Sequence, residues 1–225
     1  MCAGGDPSAT GLLLEDGGMP RDRWPRLVPL VLAIGCLDIV VGVGLRLRRV
    51  RGAVSLDVQT AAPVFSRAFG VSLVPVRIAK QFVKLGNPRP FALLIGGLLL
   101  LALWARDWVG AATAVAGPPA AVVAAEHLKS HFGRTEGGGD AYPSGHTTAL
   151  TAVAVVLVLV AWRRWGPRSL VVTGPLALAA GGGMVLTVVR LHDHLMSDAL
   201  GGVLLGAGVV GAVYGVAGAA GWASQ

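Results

Sequence analysis

All five histidines of this 225-residue chain lie between positions 127 and 194, in or beside two polar stretches. One is AEHLKSHFGRTEGGGDAYPSGHTT, over 125–148; the other is VVRLHDHLMSDALGG, over 188–202. In the second, His194 and Asp198 are four apart, so on a helix that begins there they share one face. The carboxylate can then take the proton-bearing ring nitrogen and leave the other nitrogen as a nucleophile. His192 would point to the opposite side of such a helix. In the first stretch, Pro143, Ser144, Gly145 and His146 open a long apolar run. Ser144 stands where an N-cap belongs, and the N–H groups that follow it form an anion site at the positive end of a helix dipole. Gly145 has no side chain to keep an anion from the backbone, and His146 can hand a proton to a departing oxygen. Lys129, Arg134 and Arg190 supply positive charge. Phosphoryl transfer needs such a setting, because it depends on cations and N–H donors around the phosphate oxygens.

Each residue has a plainer structural alternative. Ser144 can simply cap a helix and His146 can anchor it at an interface. Asp198 and Arg190 can complement helix dipoles, and Lys129 and Arg134 can snorkel toward water. The joint occurrence of all of them on one face favours chemistry.

The elements that must position these residues are membrane helices. Hydrophobic residues make up 54% of the chain and charged ones 14%, against about a quarter charged in soluble domains. Mean hydropathy is +0.67. Apolar runs near 27–45, 90–105, 108–125, 145–162, 169–189 and 197–220 approach the roughly 20 residues that cross a bilayer. They predict an all-α, polytopic membrane helix bundle of about six transmembrane helices. Glycines within the runs, among them Gly96, Gly97, Gly181, Gly182, Gly183, Gly201 and Gly202, predict close helix packing. Residues 1–26 read as a disordered tail and 27–222 as the transmembrane domain. Within that domain 53–84, interrupted by Arg67, Arg77, Lys80 and Lys84, reads as an interfacial segment. With six spans, the two polar stretches emerge on the same side and can meet.

Composition also excludes some classes. Two cysteines, Cys2 and Cys36, give neither a disulfide framework nor a metal spacing. The net charge of +7 flanks the spans instead of forming a stripe with interleaved aromatics, which points to anionic lipid headgroups and away from nucleic acid. Asp38, inside the first span, is expected to pair with a cation or face the bundle interior.

These residues resemble the type 2 phosphatidic acid phosphatase superfamily, which includes lipid phosphate phosphatases and vanadium haloperoxidases. Its pattern is K-x6-R-P, then P-S-G-H, then S-R-x5-H-x3-D. Pro143, Ser144, Gly145 and His146 match the second part in full; His194 and Asp198 match the end of the third, and Lys129 the start of the first. The resemblance covers roughly 27–220. It implies a metal-independent phosphatase without a cofactor, in which His194 attacks phosphorus, Asp198 orients it and His146 protonates the leaving group. It implies phosphate binding by lysine, arginines and the Ser144–Gly145 segment. The two family arginines would fall on Glu136 and Val188. Arg134 and Arg190 lie two residues from those positions and are assigned on charge and location alone.

The implied substrates are phosphatidic acid, a phosphatidylglycerol phosphate or a polyprenyl diphosphate. Arg163, Arg164 and Arg168 follow the fourth span, and the positive-inside rule makes that face cytoplasmic, so the site of this multi-pass cell-membrane protein looks outward. Arg46, Arg48, Arg49 and Arg51, on the site's own face, oppose the rule. Two alternatives remain open. His127, His131, His192, His194 and Asp198 have spacings that suit a metal-dependent hydrolase or oxidase, and the same pocket without turnover would make a phospholipid-binding or transport protein.

Overall fold

A computed structural model of the protein describes residues 24–55, 57–59, 75–136 and 139–222. The tail expected over 1–26 lies outside these residues as far as 23, and so do 56 and 60–74 of the interfacial segment expected over 53–84. The helices are α1 (Trp24–Leu47), α2 (Val76–Phe82), α3 (Pro88–Trp104), α4 (Trp108–Phe132), α5 (Gly145–Trp165), α6 (Leu170–Arg190) and α7 (Met196–Trp222). A short antiparallel ladder joins β1 (Thr135–Glu136) to β2 (Gly139–Asp140) between α4 and α5. The fold is an all-α membrane bundle.

Four stretches are long and apolar enough to cross a membrane: Val28–Leu47, Trp108–Phe132, Gly145–Arg190 and Met196–Ala219. The third spans 46 residues. At a 1.5 Å rise it would be about 69 Å long, more than twice the hydrocarbon thickness. It is instead a hairpin: α5 and α6 pack side by side around a 3-10 turn, Gly166–Ser169, entered through Gly166 at φ +70°. Helix α3 has 17 residues and is bent by 64° from the α2 segment. All six expected apolar runs are therefore helices. Leu93, Val171 and Leu178 on their outer faces are more than three-quarters exposed, as lipid-facing residues are.

Helix α7 is central and packs against α1, α4 and α5. Its approach to α5 needs glycine. A Cβ on Gly202 would stand 2.6 Å from the Ser144 carbonyl oxygen, and one on Gly206 2.7 Å from that of Thr148. The expected close packing is thus realised along α7, whereas Gly96, Gly97 and Gly182 face open space. Ala114, Ala152, Val156 and Val210 form the core between α4, α5 and α7. Asp38 is exposed on α1, not turned into the bundle.

Candidate active site

Helix α4 ends because Gly133 takes the left-handed conformation, φ +58°, and returns its N–H to the Lys129 carbonyl at 2.9 Å. Lys129 lies in that last turn, and its Nζ pairs with Glu126 Oε1 at 2.7 Å. The chain then runs through the β1–β2 hairpin to Ala141, whose N–H donates to the Arg134 carbonyl at 2.9 Å. Tyr142 is buried; its hydroxyl donates to the Val40 carbonyl at 2.9 Å and its ring meets Phe132 edge-on. These contacts fix the approach to Ser144.

Ser144 is the N-cap residue of α5, as expected, but its side chain makes no capping bond. Its Oγ accepts from Thr147 Oγ1 at 3.2 Å. The first-turn N–H groups of α5 therefore have no side-chain cap. Beside them, a Cβ on Gly145 would stand 3.4 Å from Lys129 Nζ and 3.1 Å from Glu126 Oε1. The lysine ammonium and the opening turn of α5 border the same space.

The two polar connectors do meet. Ser144 N–H donates to the Asp198 carbonyl at 3.0 Å. After Arg190, in the last turn of α6, the second connector turns tightly through His192 at φ +60°. Asp193 N–H and His194 N–H both reach back to the Val188 carbonyl, at 3.0 and 3.4 Å. Helix α7 begins only at Met196, so His194 precedes it. The expected helical i, i+4 arrangement of His194 and Asp198 is not formed. Asp198 Oδ2 instead accepts the Leu195 N–H at 3.2 Å, the reach-back of a third-position acid to the N-cap.

His194 Nδ1 is buried without a hydrogen-bond partner, and the Ala141 backbone lies near the ring. Burial, then the charges of Lys129 and His146, outweigh the Ala141 carbonyl and Glu126 and lower the pKa of His194 to about 4. The ring is neutral at physiological pH, as a nucleophile must be. His146, Lys129 and Glu126 all feel its charge, so the two imidazoles belong to one electrostatic cluster. Around His146 stand Asp193, Lys129 and Glu126, and its Nε2 lies 3.4 Å from Asn87 Oδ1.

Arg134 is placed elsewhere than the expected phosphate site. It is fully buried, and its guanidinium binds Asp198 Oδ1, Ser197 Oγ, Asp57 Oδ2 at 2.8 Å and the Gly52 carbonyl at 3.2 Å. Two carboxylates, a hydroxyl and a carbonyl take both terminal nitrogens, and Nε is buried without a partner. Asp57 also accepts from Ser197 N–H at 2.8 Å and Val54 N–H at 3.0 Å. Burial pushes the Asp57 carboxyl up, but these bonds and Arg134 overcome it and hold it below the usual carboxylate range. Arg190 and His192 are engaged with neighbours at the same end of the bundle. The metal-ligand grouping is not assembled: among the described residues no three His, Cys, Asp or Glu side chains gather as a metal site. His127 Nδ1 instead lies 2.9 Å from the Val123 carbonyl of its own helix, and His131 packs on Phe132.

Sequence reasoning missed Asp57, Asn87, Glu126 and Tyr142. Glu126 was readable as the i, i+3 partner of Lys129. Asp57 carried no local signal, since only the chain's return brings it to Arg134.

Two histidines and a lysine thus share one electrostatic cluster at one end of an apolar helix bundle. The family model of the PAP2 superfamily matches residues 64–222, and the chain belongs to that superfamily. Membership supports phosphatase activity toward phosphorylated lipids in general. Comparison with curated proteins and with solved structures gives no match.

Proposed function

We propose that this protein hydrolyses a lipid phosphate monoester or diphosphate through a phosphohistidine on His194, without a metal or other cofactor. A neutral His194 beside His146 and Lys129, at the uncapped opening of α5, is the observation that carries this reading. The Nε2 lone pair attacks phosphorus, the bond from phosphorus to the leaving oxygen breaks, and His146 gives that oxygen its proton. Water then attacks the phosphohistidine, His146 takes back a proton, and inorganic phosphate leaves. Lys129, the first-turn N–H groups from Gly145 and, at the rim, Arg190 hold the phosphate oxygens. Ser144 supports them through its backbone.

Asp198 serves as a positioning residue: it fixes the start of α7 and binds Arg134, and its carbonyl holds Ser144. Arg134 joins it in that role and leaves the phosphate-binding set. The substrate is phosphatidic acid, a phosphatidylglycerol phosphate or a polyprenyl diphosphate, drawn from the surrounding lipid to helix mouths at the membrane surface. The site faces the exterior, with Arg163, Arg164 and Arg168 on the cytoplasmic side. A reporter at Arg164 that reads as exterior would overturn this orientation.

The test is phosphate release from the three lipids by purified wild type and His194→Ala, with and without chelator and vanadate. Release that survives chelation, stops with vanadate and is lost in His194→Ala is the expected result. Equal rates for the two proteins would refute the mechanism. Lipid binding without release would make the protein a phospholipid-binding or transport protein.

A further inference from the structure

We propose that Asn87 is a positioning residue that holds His146 as the proton donor, with Gly86 leaving room for the ring. This inference rests on the reading of His146 as the general acid. Asn87 is the N-cap of α3, and asparagine ordinarily spends its side chain on the N–H of the second or third helical residue. Here the third residue is Pro90, which has no N–H, so the Arg89 N–H is the one ordinary target left. The Asn87 side chain makes no capping bond. Its Oδ1 lies 3.4 Å from His146 Nε2 instead.

Gly86 completes the fit. A Cβ there would stand 2.6 Å from His146 Cδ2, the ring carbon next to Nε2. One edge of the imidazole therefore lies against the Gly86–Asn87 backbone and amide. That backbone is anchored: Phe82, Val83 and Leu85 pack on the cluster of Leu150, Met184 and Val188, and Phe82 lies 3.3 Å from where a Cβ of Gly183 would be. Asn87 N–H also donates to the Lys84 carbonyl at 3.0 Å.

Both nitrogens of a protonated histidine are donors. Asn87 Oδ1 accepts from Nε2, so the Nδ1 proton is the one given to the leaving oxygen. The neutral ring then keeps its Nε2 proton on Asn87 and remains in the one tautomer that can take a proton back from water at Nδ1. The charges around this ring, those of Asp193, Lys129 and Glu126, are unchanged by substituting the neutral amide.

A general acid matters most when the leaving group is a poor one. Two probes separate the roles: short-chain phosphatidic acid, whose diacylglycerol leaves as an alkoxide unless protonated, and p-nitrophenyl phosphate, whose nitrophenolate leaves as a stable anion. Asn87→Leu and Gly86→Ala should lose about tenfold to a hundredfold in kcat on the lipid, with KM and the nitrophenyl rate nearly unchanged. Asn87→Asp, which keeps an acceptor oxygen, should lose less on the lipid than Asn87→Leu. His146→Ala sets the full leaving-group-selective loss. If His146→Ala shows that loss and Asn87→Leu and Gly86→Ala either match wild type or slow both probes equally, the inference about Asn87 is overturned while the phosphatase reading stands. If wild type releases phosphate from neither probe, both fall.

Discussion

Replacing Arg134 by methionine should destabilise the protein more than replacing Asp57 by asparagine. Arg134 is buried between Asp57 and Asp198, which are themselves buried. Arg134→Met leaves two carboxylates inside the protein with no cation, and breaking a buried pair in this way costs about 3–5 kcal/mol. Asp57→Asn leaves one arginine against one carboxylate and removes a charge-assisted hydrogen bond, at about 2 kcal/mol. For a chain of this length these costs correspond to thermal midpoints lower by roughly 10 °C and roughly 5 °C. The assay is the thermal unfolding midpoint in detergent, followed by tryptophan fluorescence, together with steady-state phosphate release. A phosphate ligand would behave in the opposite way. If Arg134→Met raises KM and leaves the midpoint where it was, the buried-strut reasoning is refuted.

Two further outcomes follow from the geometry. The nucleophile must be neutral, and its pKa is lowered to about 4, so kcat/KM should stay high down to about pH 4 as far as His194 controls it, rather than failing near 6.5. Lys129→Met removes one of the charges that lower it, so that acid limb should move upward in pH, while burial keeps it short of an ordinary histidine. Gly206→Leu should lower the thermal midpoint and abolish phosphate release by forcing α7 off α5, whereas Gly97→Leu, which meets nothing within 4 Å, should leave both near wild type.

The six helices were legible because a run of about twenty apolar residues has few other uses, and their edges fell within several residues of the expected ones. The meeting of the two connectors was also legible, since six crossings put both on one face. What could not be read was the detail of each connector. The spacing of His194 and Asp198 suggested a shared helical face, but the acid caps the helix from its third position and so fixes its start beyond the histidine. Charge and location suggested that Arg134 binds phosphate. The residue that claims it, Asp57, lies 77 positions earlier, in a segment that looked merely interfacial. Asn87 was not singled out in the sequence, since only the fold shows what its side chain meets.

The region matched by the family model begins at residue 64, downstream of Asp57 and of the whole of α1. A fragment cut to that boundary would keep every side chain proposed for catalysis and lose the acid that shares Arg134 with Asp198. It would also lose the Val40 carbonyl that receives the Tyr142 hydroxyl. The helix outside the matched region is thus a brace for the chemistry inside it, and expression designs should retain it.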